Sequence, residues 1–273
     1  MDDRPIGIFD SGIGGLSVLR EVHHRLPGEN LIYFADQAHL PYGRRSLDDI
    51  RSYALEITRF LLELECKLII VACNSASAAA LAALRETYSH TLFVGMEPAV
   101  KPAAEATRTG VIGVLATPVT FQGDLFASVM ARFAADVRVL QETPVGLVDH
   151  IERGEIDHPA TRRILETAVK PFQQEKVDTI VLGCTHYPFI IPQLRSIIGP
   201  DVAIIDPAPA ISRQVQRLLN QHNLSGKAQE IGSRTYISSL DGAALADQVE
   251  RLLGERTEAR TARWSGKRLD SAT

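Results

Sequence analysis

Apolar and polar positions occur in blocks along the chain, with short, continuously apolar runs separated by longer stretches of helical spacing. Such runs are typical of parallel strands covered on both faces, and the stretches between them predict connecting helices. The pattern therefore predicts an α/β protein. The predicted strands are Ile6–Phe9, Leu31–Phe34, Leu68–Ala72, Leu92–Val94, Val111–Leu115, Val137–Leu140, Thr179–Leu182, Ala203–Ile205 and, from a weaker pattern, Tyr236–Ser238.

Two helices have clear boundaries in the sequence. Ser46 and Asp49 have the capping-box spacing before a helix predicted over Leu47–Glu65, and an alanine-rich stretch predicts a helix over Ala76–Arg85. After Gly254 the chain becomes polar and short of aliphatic residues. We therefore predict that residues 255–273 form a poorly ordered tail.

Two strand-and-turn units each occur twice. Ile6–Ser11 aligns with Ile112–Thr117, each an apolar strand that ends in a hydroxyl residue, and Leu68–Cys73 aligns with Thr179–Cys184, each a strand that ends in a cysteine. Chance is an alternative because parallel strands share composition, but the matching hydroxyl and cysteine positions favour duplication. The sequence predicts two similar α/β domains with mainly parallel sheets, related by pseudo-two-fold symmetry.

Composition and charge disfavour several classes of protein. The 273 residues are 45% hydrophobic and 23% charged, as in compact globular proteins, and the formal charge of -4 gives no general attraction to nucleic acid or anionic lipid. The amino terminus lacks the layout of a signal peptide, and no apolar run is long enough to span a membrane. We expect a cytoplasmic protein without a nucleic-acid or membrane partner.

Chemically versatile side chains directly follow the predicted strands. Ligands of open α/β sheets bind at the carboxyl ends of strands, and two facing halves would bring these ends together. The side chains are Asp10, Ser11, Cys73, Asn74, Thr117, Cys184, Thr185 and His186. We predict an active site in the cleft between the two domains.

The cysteines are the most informative of these residues. Three cysteines without regular spacing do not form a disulfide framework. Cys73 leads into a helix start suited to an anion, and His186 lies two residues after Cys184, where it can exchange a proton with the thiol. Each motif alone also fits simple packing. Cys66 precedes its strand, at the wrong end for the cleft, and is assigned to packing.

Zinc and nucleotide sites are both disfavoured. Structural zinc prefers paired ligands such as C-x-x-C, whereas each half offers a single cysteine, so no metal is expected at Cys73, Cys184 and His186. The glycine-rich turn Asp10–Leu16 lacks the G-x-G-x-x-G spacing and the Gly-Lys-Ser/Thr ending of nucleotide-binding loops. Its glycines are better suited to let backbone approach a small ligand.

Four motifs follow one another along the chain: Ile8–Leu16, Leu40–Gly43, Ala72–Ser77 and Val181–Pro188. Together and in this order, they resemble the motifs of the glutamate racemase family, which belongs with the aspartate/glutamate racemases. The resemblance covers nearly all of the chain up to about Gly254. It implies a first domain of residues 1–97 and 207–254, a second of residues 98–206, and racemisation of free glutamate without a cofactor. It further implies D-glutamate supply for peptidoglycan synthesis, and we expect a homodimer.

The same resemblance assigns roles to individual residues. Cys73 and Cys184 match the catalytic thiols, with Asp10 supporting Cys73 on the side of D-glutamate, and His186 and Glu152 supporting Cys184 on the side of L-glutamate. The substrate-binding positions are Asp10, Ser11, Tyr42, Gly43, Asn74, Ser75, Thr185 and His186.

Three other functions remain open. A racemase of the same architecture could act on aspartate or another amino acid with the same thiols. A non-catalytic amino-acid-binding or regulatory protein would bind glutamate without turnover. A redox pair would join Cys73 and Cys184 in a disulfide, which the absence of C-x-x-C disfavours.

Overall fold

Two β-sheets organise the chain in a computed structural model that describes residues 2–226 and 231–271. The strands are β1 (Ile6–Asp10), β2 (Leu31–Ala35), β3 (Leu68–Val71), β4 (Leu92–Gly95), β5 (Val111–Ala116), β6 (Arg138–Glu142), β7 (Thr179–Gly183), β8 (Ala203–Ile205), β9 (Arg234–Ser238), β10 (Ala259–Ser265) and β11 (Arg268–Ser271). The α-helices are α1 (Leu16–Arg25), α2 (Leu47–Glu63), α3 (Asn74–Thr87), α4 (Val100–Ala106), α5 (Pro118–Gln122), α6 (Asp124–Phe133), α7 (Leu147–Glu152), α8 (Pro159–Gln174), α9 (Ile191–Ile198), α10 (Ala208–Gln221) and α11 (Gly242–Leu253). Short 3-10 helices cover Gln37–His39, Tyr42–Arg44 and Tyr187–Ile190.

The two sheets repeat one strand order. The larger sheet has the order β11-β10-β9-β2-β1-β3-β4, and the smaller has β6-β5-β7-β8. Ile6 lies opposite Leu68 where β1 pairs with β3, and Ile112 lies opposite Thr179 where β5 pairs with β7. These are the residues that the internal alignment makes equivalent, so the two similar α/β domains predicted from the sequence are confirmed.

The predicted strands are all present, and their ends differ from the predictions by no more than two residues. Ser46 caps α2 by accepting the backbone N–H of Asp49 at 3.1 Å. The helix ends at Glu63, two residues earlier than predicted, and Glu65 has a positive φ of 59° that is incompatible with helix. The alanine-rich helix is longer than predicted and begins directly after Cys73.

The C-terminal stretch is ordered, contrary to the prediction of a loose tail for residues 255–273. β10 pairs in parallel with β9 and antiparallel with β11. Leu269 is buried, its N–H donates to Oε1 of Glu56 at 2.7 Å, and its carbonyl accepts from Nη2 of Arg59 at 2.7 Å. Strand pairing and these contacts with α2 compensate for the small number of apolar side chains. The last two residues lie outside the described ranges.

Helices cover both sheets on both faces. In the larger sheet, α1 packs against α10 on one face and α2 against α3 on the other; in the smaller, α8 packs against α9 and α4 against α6. The chain crosses between the sheets after β4 and again before α10. The division into residues 1–97 with 207–254 and residues 98–206 stays a prediction. Across residues 2–226 and 231–271, no helix combines the length and apolar character needed to span a membrane.

Candidate active site

A cavity of about 140 Å3 lies between the two sheets, at the carboxyl ends of their strands. Of the residues predicted for the site, it is lined by Ser11, Tyr42, Gly43, Cys73, Asn74, Ser75, Cys184, Thr185 and His186. Asp10 and Glu152 do not line it and lie behind the reactive groups. The structure therefore brings all the predicted site residues to one place.

The first side of the cavity is built at the end of β1 and the start of α3. Sγ of Cys73 lies 4.0 Å from Oγ of Ser11. The fully buried carboxylate of Asp10 accepts the N–H of Gly15 at 2.8 Å and the hydroxyl of Thr185 at 3.4 Å through Oδ2. Its Oδ1 is buried without a hydrogen-bond partner. One oxygen of Asp10 is thus held in place while the other can still take a proton.

Burial is the largest influence on the pKa values of Cys73 and Asp10. It raises the pKa of Cys73 well above its ordinary value, and the negative charge of Asp10 raises that pKa further. Burial also raises the pKa of Asp10, while the positive charge of His186 acts in the opposite direction. Both groups therefore hold a proton more tightly than they would in water.

The second side of the cavity is a relay of three side chains. Sγ of Cys184 lies 3.7 Å from Nδ1 of His186, whose Nε2 lies 2.6 Å from Oε1 of Glu152. Burial lowers the pKa of His186, but the hydrogen bonds with Cys184 and Glu152 outweigh it and raise that pKa well above its ordinary value. His186 therefore holds a proton more tightly than a histidine in water, and Nδ1 lies close enough to Cys184 to exchange a proton with its thiol.

Glycines let the backbone of the larger sheet's domain approach this relay closely. A Cβ at Gly12 would collide with Oε1 of Glu152, and one at Gly14 with Nδ1 of His186. The glycine-rich turn was expected to approach a small ligand, and its tight contacts are instead with these two side chains. Gln248, on α11, supports Glu152 from outside by donating Nε2 to its carbonyl at 3.0 Å.

Polar groups that face the cavity have unused hydrogen-bonding capacity. Asn74 is buried, and neither its side-chain oxygen nor its nitrogen has a partner. Buried amides are nearly always satisfied in folded proteins, so Asn74 has the state expected of a group that bonds to a ligand. Oγ of Ser75 lies 3.0 Å from Oγ1 of Thr117, which joins the two halves across the cavity.

Sequence reasoning missed several lining residues. Thr117 was placed at the cleft as a strand-end hydroxyl, and it lines the cavity. It was given no catalytic or binding role, although its equivalence to Ser11 in the internal repeat is a signal for one. Arg44 and Asp149 form an ion pair between the two halves beside the cavity. No local pattern points to that pair. In the part of the chain that the structure describes, no group of three or more His, Cys, Asp and Glu side chains is arranged to hold a metal.

Comparison with known proteins identifies the family. The sequence profile described as Asp/Glu/Hydantoin racemase matches residues 6–215. The chain belongs to the Asp/Glu/Hydantoin racemase family. A glutamate racemase from Roseiflexus sp. (strain RS-1) is 49% identical over 250 residues, which cover 91% of this chain and 92% of that protein.

Solved structures of racemases have the same fold. A glutamate racemase of Bacillus anthracis superposes with a TM-score of 0.88 at 28% identity, covering 98% of this chain and 100% of that one. The Escherichia coli glutamate racemase in complex with L-glutamate and the activator UDP-MurNAc-ala has a TM-score of 0.82 at 31% identity, covering 99% and 100% of the two chains. The fold of this chain is therefore that of glutamate racemase structures.

Proposed function

We propose that this chain interconverts L- and D-glutamate by proton transfer at Cα, with Cys73 and Cys184 as the two groups that exchange the proton. One observation carries the proposal: the two thiols reach the same cavity from different sheets, each backed by its own acid–base group. Inversion of a stereocentre requires a base on one face of Cα and an acid on the other. Facing thiols supply that arrangement.

The reaction proceeds through a planar carbanion. One thiolate removes the α-proton, the C–H electron pair moves into the α-carboxylate system, and the opposite thiol delivers a proton to the other face. The first cysteine ends protonated and the second ends as a thiolate, so the enzyme must return one proton between turnovers. Asp10 on one side, and His186 with Glu152 on the other, can carry that proton.

Hydrogen-bond donors stabilise the intermediate. The α-proton of an amino acid is very weakly acidic, so charge that develops on the carboxylate needs donors already aimed at it. Asn74, Ser75 and Thr185 are the donors we assign to this task, together with the backbone N–H groups at the start of α3. The amide of Asn74 is unpartnered, so it meets the substrate without breaking another bond.

Relatives support glutamate as the substrate. The Roseiflexus relative is called a glutamate racemase, and the Escherichia coli structure contains L-glutamate. In a cell that builds peptidoglycan, the reaction supplies D-glutamate from the cytoplasmic pool. We propose the cytoplasm as its location on that ground, and the homodimer expected from the resemblance stays a prediction that sedimentation equilibrium tests.

Substitution of the cysteines tests the proposal. Cys73→Ser and Cys184→Ser should each lower kcat by about 10³-fold or more, because each removes a group that must transfer a proton. Cys66→Ala is the matched control, since Cys66 is buried in packing, where burial raises its pKa to about 12, and it lies outside the cavity. A near-normal rate in either serine variant would contradict the two-thiol mechanism.

Isotope exchange gives an independent test. Pure protein incubated with D-glutamate in D2O, without added cofactor, should form L-glutamate that carries deuterium at Cα. Because the enantiomers have equal free energy, every variant must lower kcat/KM equally in both directions. Aspartate offered under the same conditions tests the closest alternative, and faster turnover of aspartate than of glutamate would overturn the substrate assignment.

A further inference from the structure

Tyr42 and Gly43 form a wall of the cavity at the boundary between the two halves. Tyr42 is buried and lines the cavity, and its hydroxyl donates to Oδ2 of Asp36 at 2.6 Å. A Cβ at Gly43 would lie 2.9 Å from Cβ of Thr117 in the other half. Small displacements of Tyr42 and Gly43 therefore change both the shape of the cavity and the contact with Thr117 in the other half.

Asp36 connects this wall to the C-terminal strands. Its carboxylate is fully buried; Oδ2 also lies 2.9 Å from Nδ1 of His39, and Oδ1 accepts Nε1–H of Trp264 at 2.8 Å. Its backbone N–H donates to the carbonyl of Asp10 at 2.9 Å. A buried carboxylate is costly unless both oxygens are satisfied, so Asp36 and its donors restrict one another's positions.

Trp264 is held where it can reach Asp36. It lies on β10, next to the antiparallel partner β11, whose Leu269 is anchored to α2 by the backbone hydrogen bonds described above. Its ring centroid is 4.9 Å from that of His39 and 5.8 Å from that of Tyr53. The strand pairing and the ring contacts do not depend on the indole N–H, so the hydrogen bond can be removed separately.

We propose that Trp264 is a positioning residue for substrate binding: through Asp36 it orients Tyr42 and Gly43, and so the C-terminal strands shape the cavity without touching it. The kinetic part of this proposal rests on the racemase function proposed above. Its structural part concerns a coupling within the protein that exists whatever the substrate is.

Trp264→Phe tests the hydrogen bond while an aromatic ring is kept. The variant should raise KM for D-glutamate about fivefold and lower kcat less than about twofold, because a bond to a charged acceptor is lost far from the reacting atoms. Arg263→Ala is the matched control, an exposed neighbour on the same strand, and should leave both constants unchanged. An unchanged KM in Trp264→Phe would overturn the proposal.

A double-mutant cycle separates positioning from general stability. Tyr42→Phe removes the hydrogen bond from Tyr42 to Asp36. Its effect on KM should therefore overlap that of Trp264→Phe, and the double variant should be less impaired than the product of the two single effects. If Trp264 served stability alone, Trp264→Phe would lower the thermal unfolding temperature without changing KM, and the double variant would have the KM of Tyr42→Phe.

Hydrogen exchange tests the coupling without any turnover. Amides of residues 37–45 should exchange faster in Trp264→Phe than in the wild-type protein, while those of β7 should not change. If exchange increases but neither protein acts on glutamate, the racemase function fails and the coupling stands. Equal exchange in residues 37–45 in both proteins would overturn the coupling itself.

Discussion

The backbone N–H of Ile13 donates to Oε1 of Glu152 at 2.9 Å, although 139 positions separate the two residues in the sequence. The same oxygen lies 2.6 Å from Nε2 of His186. The glycine-rich turn after β1 thus holds the carboxylate that serves the thiol at the end of β7. Because a turn of one half holds the Glu152 carboxylate of the other, movement between the halves must change the His186–Glu152 pair.

Gly14→Ala should disturb that pair directly. The added methyl group would collide with Nδ1 of His186, the atom that faces Cys184, and with Oγ1 of Thr185. Displacements of about 1 Å can cost about 10²-fold in rate, so we expect kcat to fall about 10- to 100-fold. Steady-state kinetics of the single variant check this. In a His186→Ala background the same substitution should cost little more, and a full additional loss there would contradict an effect through His186.

The His186–Glu152 pair should also make stability depend on pH. Folded His186 keeps its proton above the pH at which the unfolded chain releases it. Its stabilising contribution is therefore complete below the ordinary histidine pKa of about 6.5 and is lost as pH rises through the folded pKa. Between these values one such group changes the free energy of unfolding by at most about 1.4 kcal/mol per pH unit.

Urea unfolding of the wild-type protein and Glu152→Gln measures this dependence. In Glu152→Gln one of the groups that raise the pKa of His186 is lost, while burial still opposes protonation of the ring. The difference in unfolding free energy between the two proteins should therefore shrink as pH rises from about 6 to about 9. A difference that stays constant over this range would mean that His186 is not the titrating group.

Much of this architecture could be predicted because buried parallel strands have a distinct sequence pattern. β1, β3 and β7 are buried along their whole length and read as continuous apolar runs. Side chains that follow such strands meet at one sheet edge, which is why Cys73 and Cys184 could be placed in one cleft. The internal repeat then indicated that two such edges face each other.

The features that could not be predicted depend on contacts between segments that lie far apart in the sequence. β10 lies near the sheet edge and has Ala262 as its only buried residue, so its hydropathy resembles that of a polar tail. Glu152 ends a short helix, and its role comes from Ile13 and His186, which lie far away in sequence. The bonds of Asp36 to Tyr42 and Trp264 likewise have no local signature.

The ion pair between Arg44 and Asp149 gives a prediction about substrate entry. Both residues line the cavity, and the Arg44 side chain is 61% exposed, so the pair adds little to stability. Glutamate arrives as an anion, and Asp149 pairs with Arg44, a cation that lines the cavity. Asp149→Asn should therefore lower KM for glutamate about threefold at low ionic strength, and Arg44→Gln should raise it, as steady-state kinetics can measure.

Salt is the control for this prediction. At about 0.5 M salt both changes in KM should be smaller, because ions screen the charges. If both variants raised KM equally at every salt concentration, the ion pair would act by holding the cavity closed rather than through its net charge.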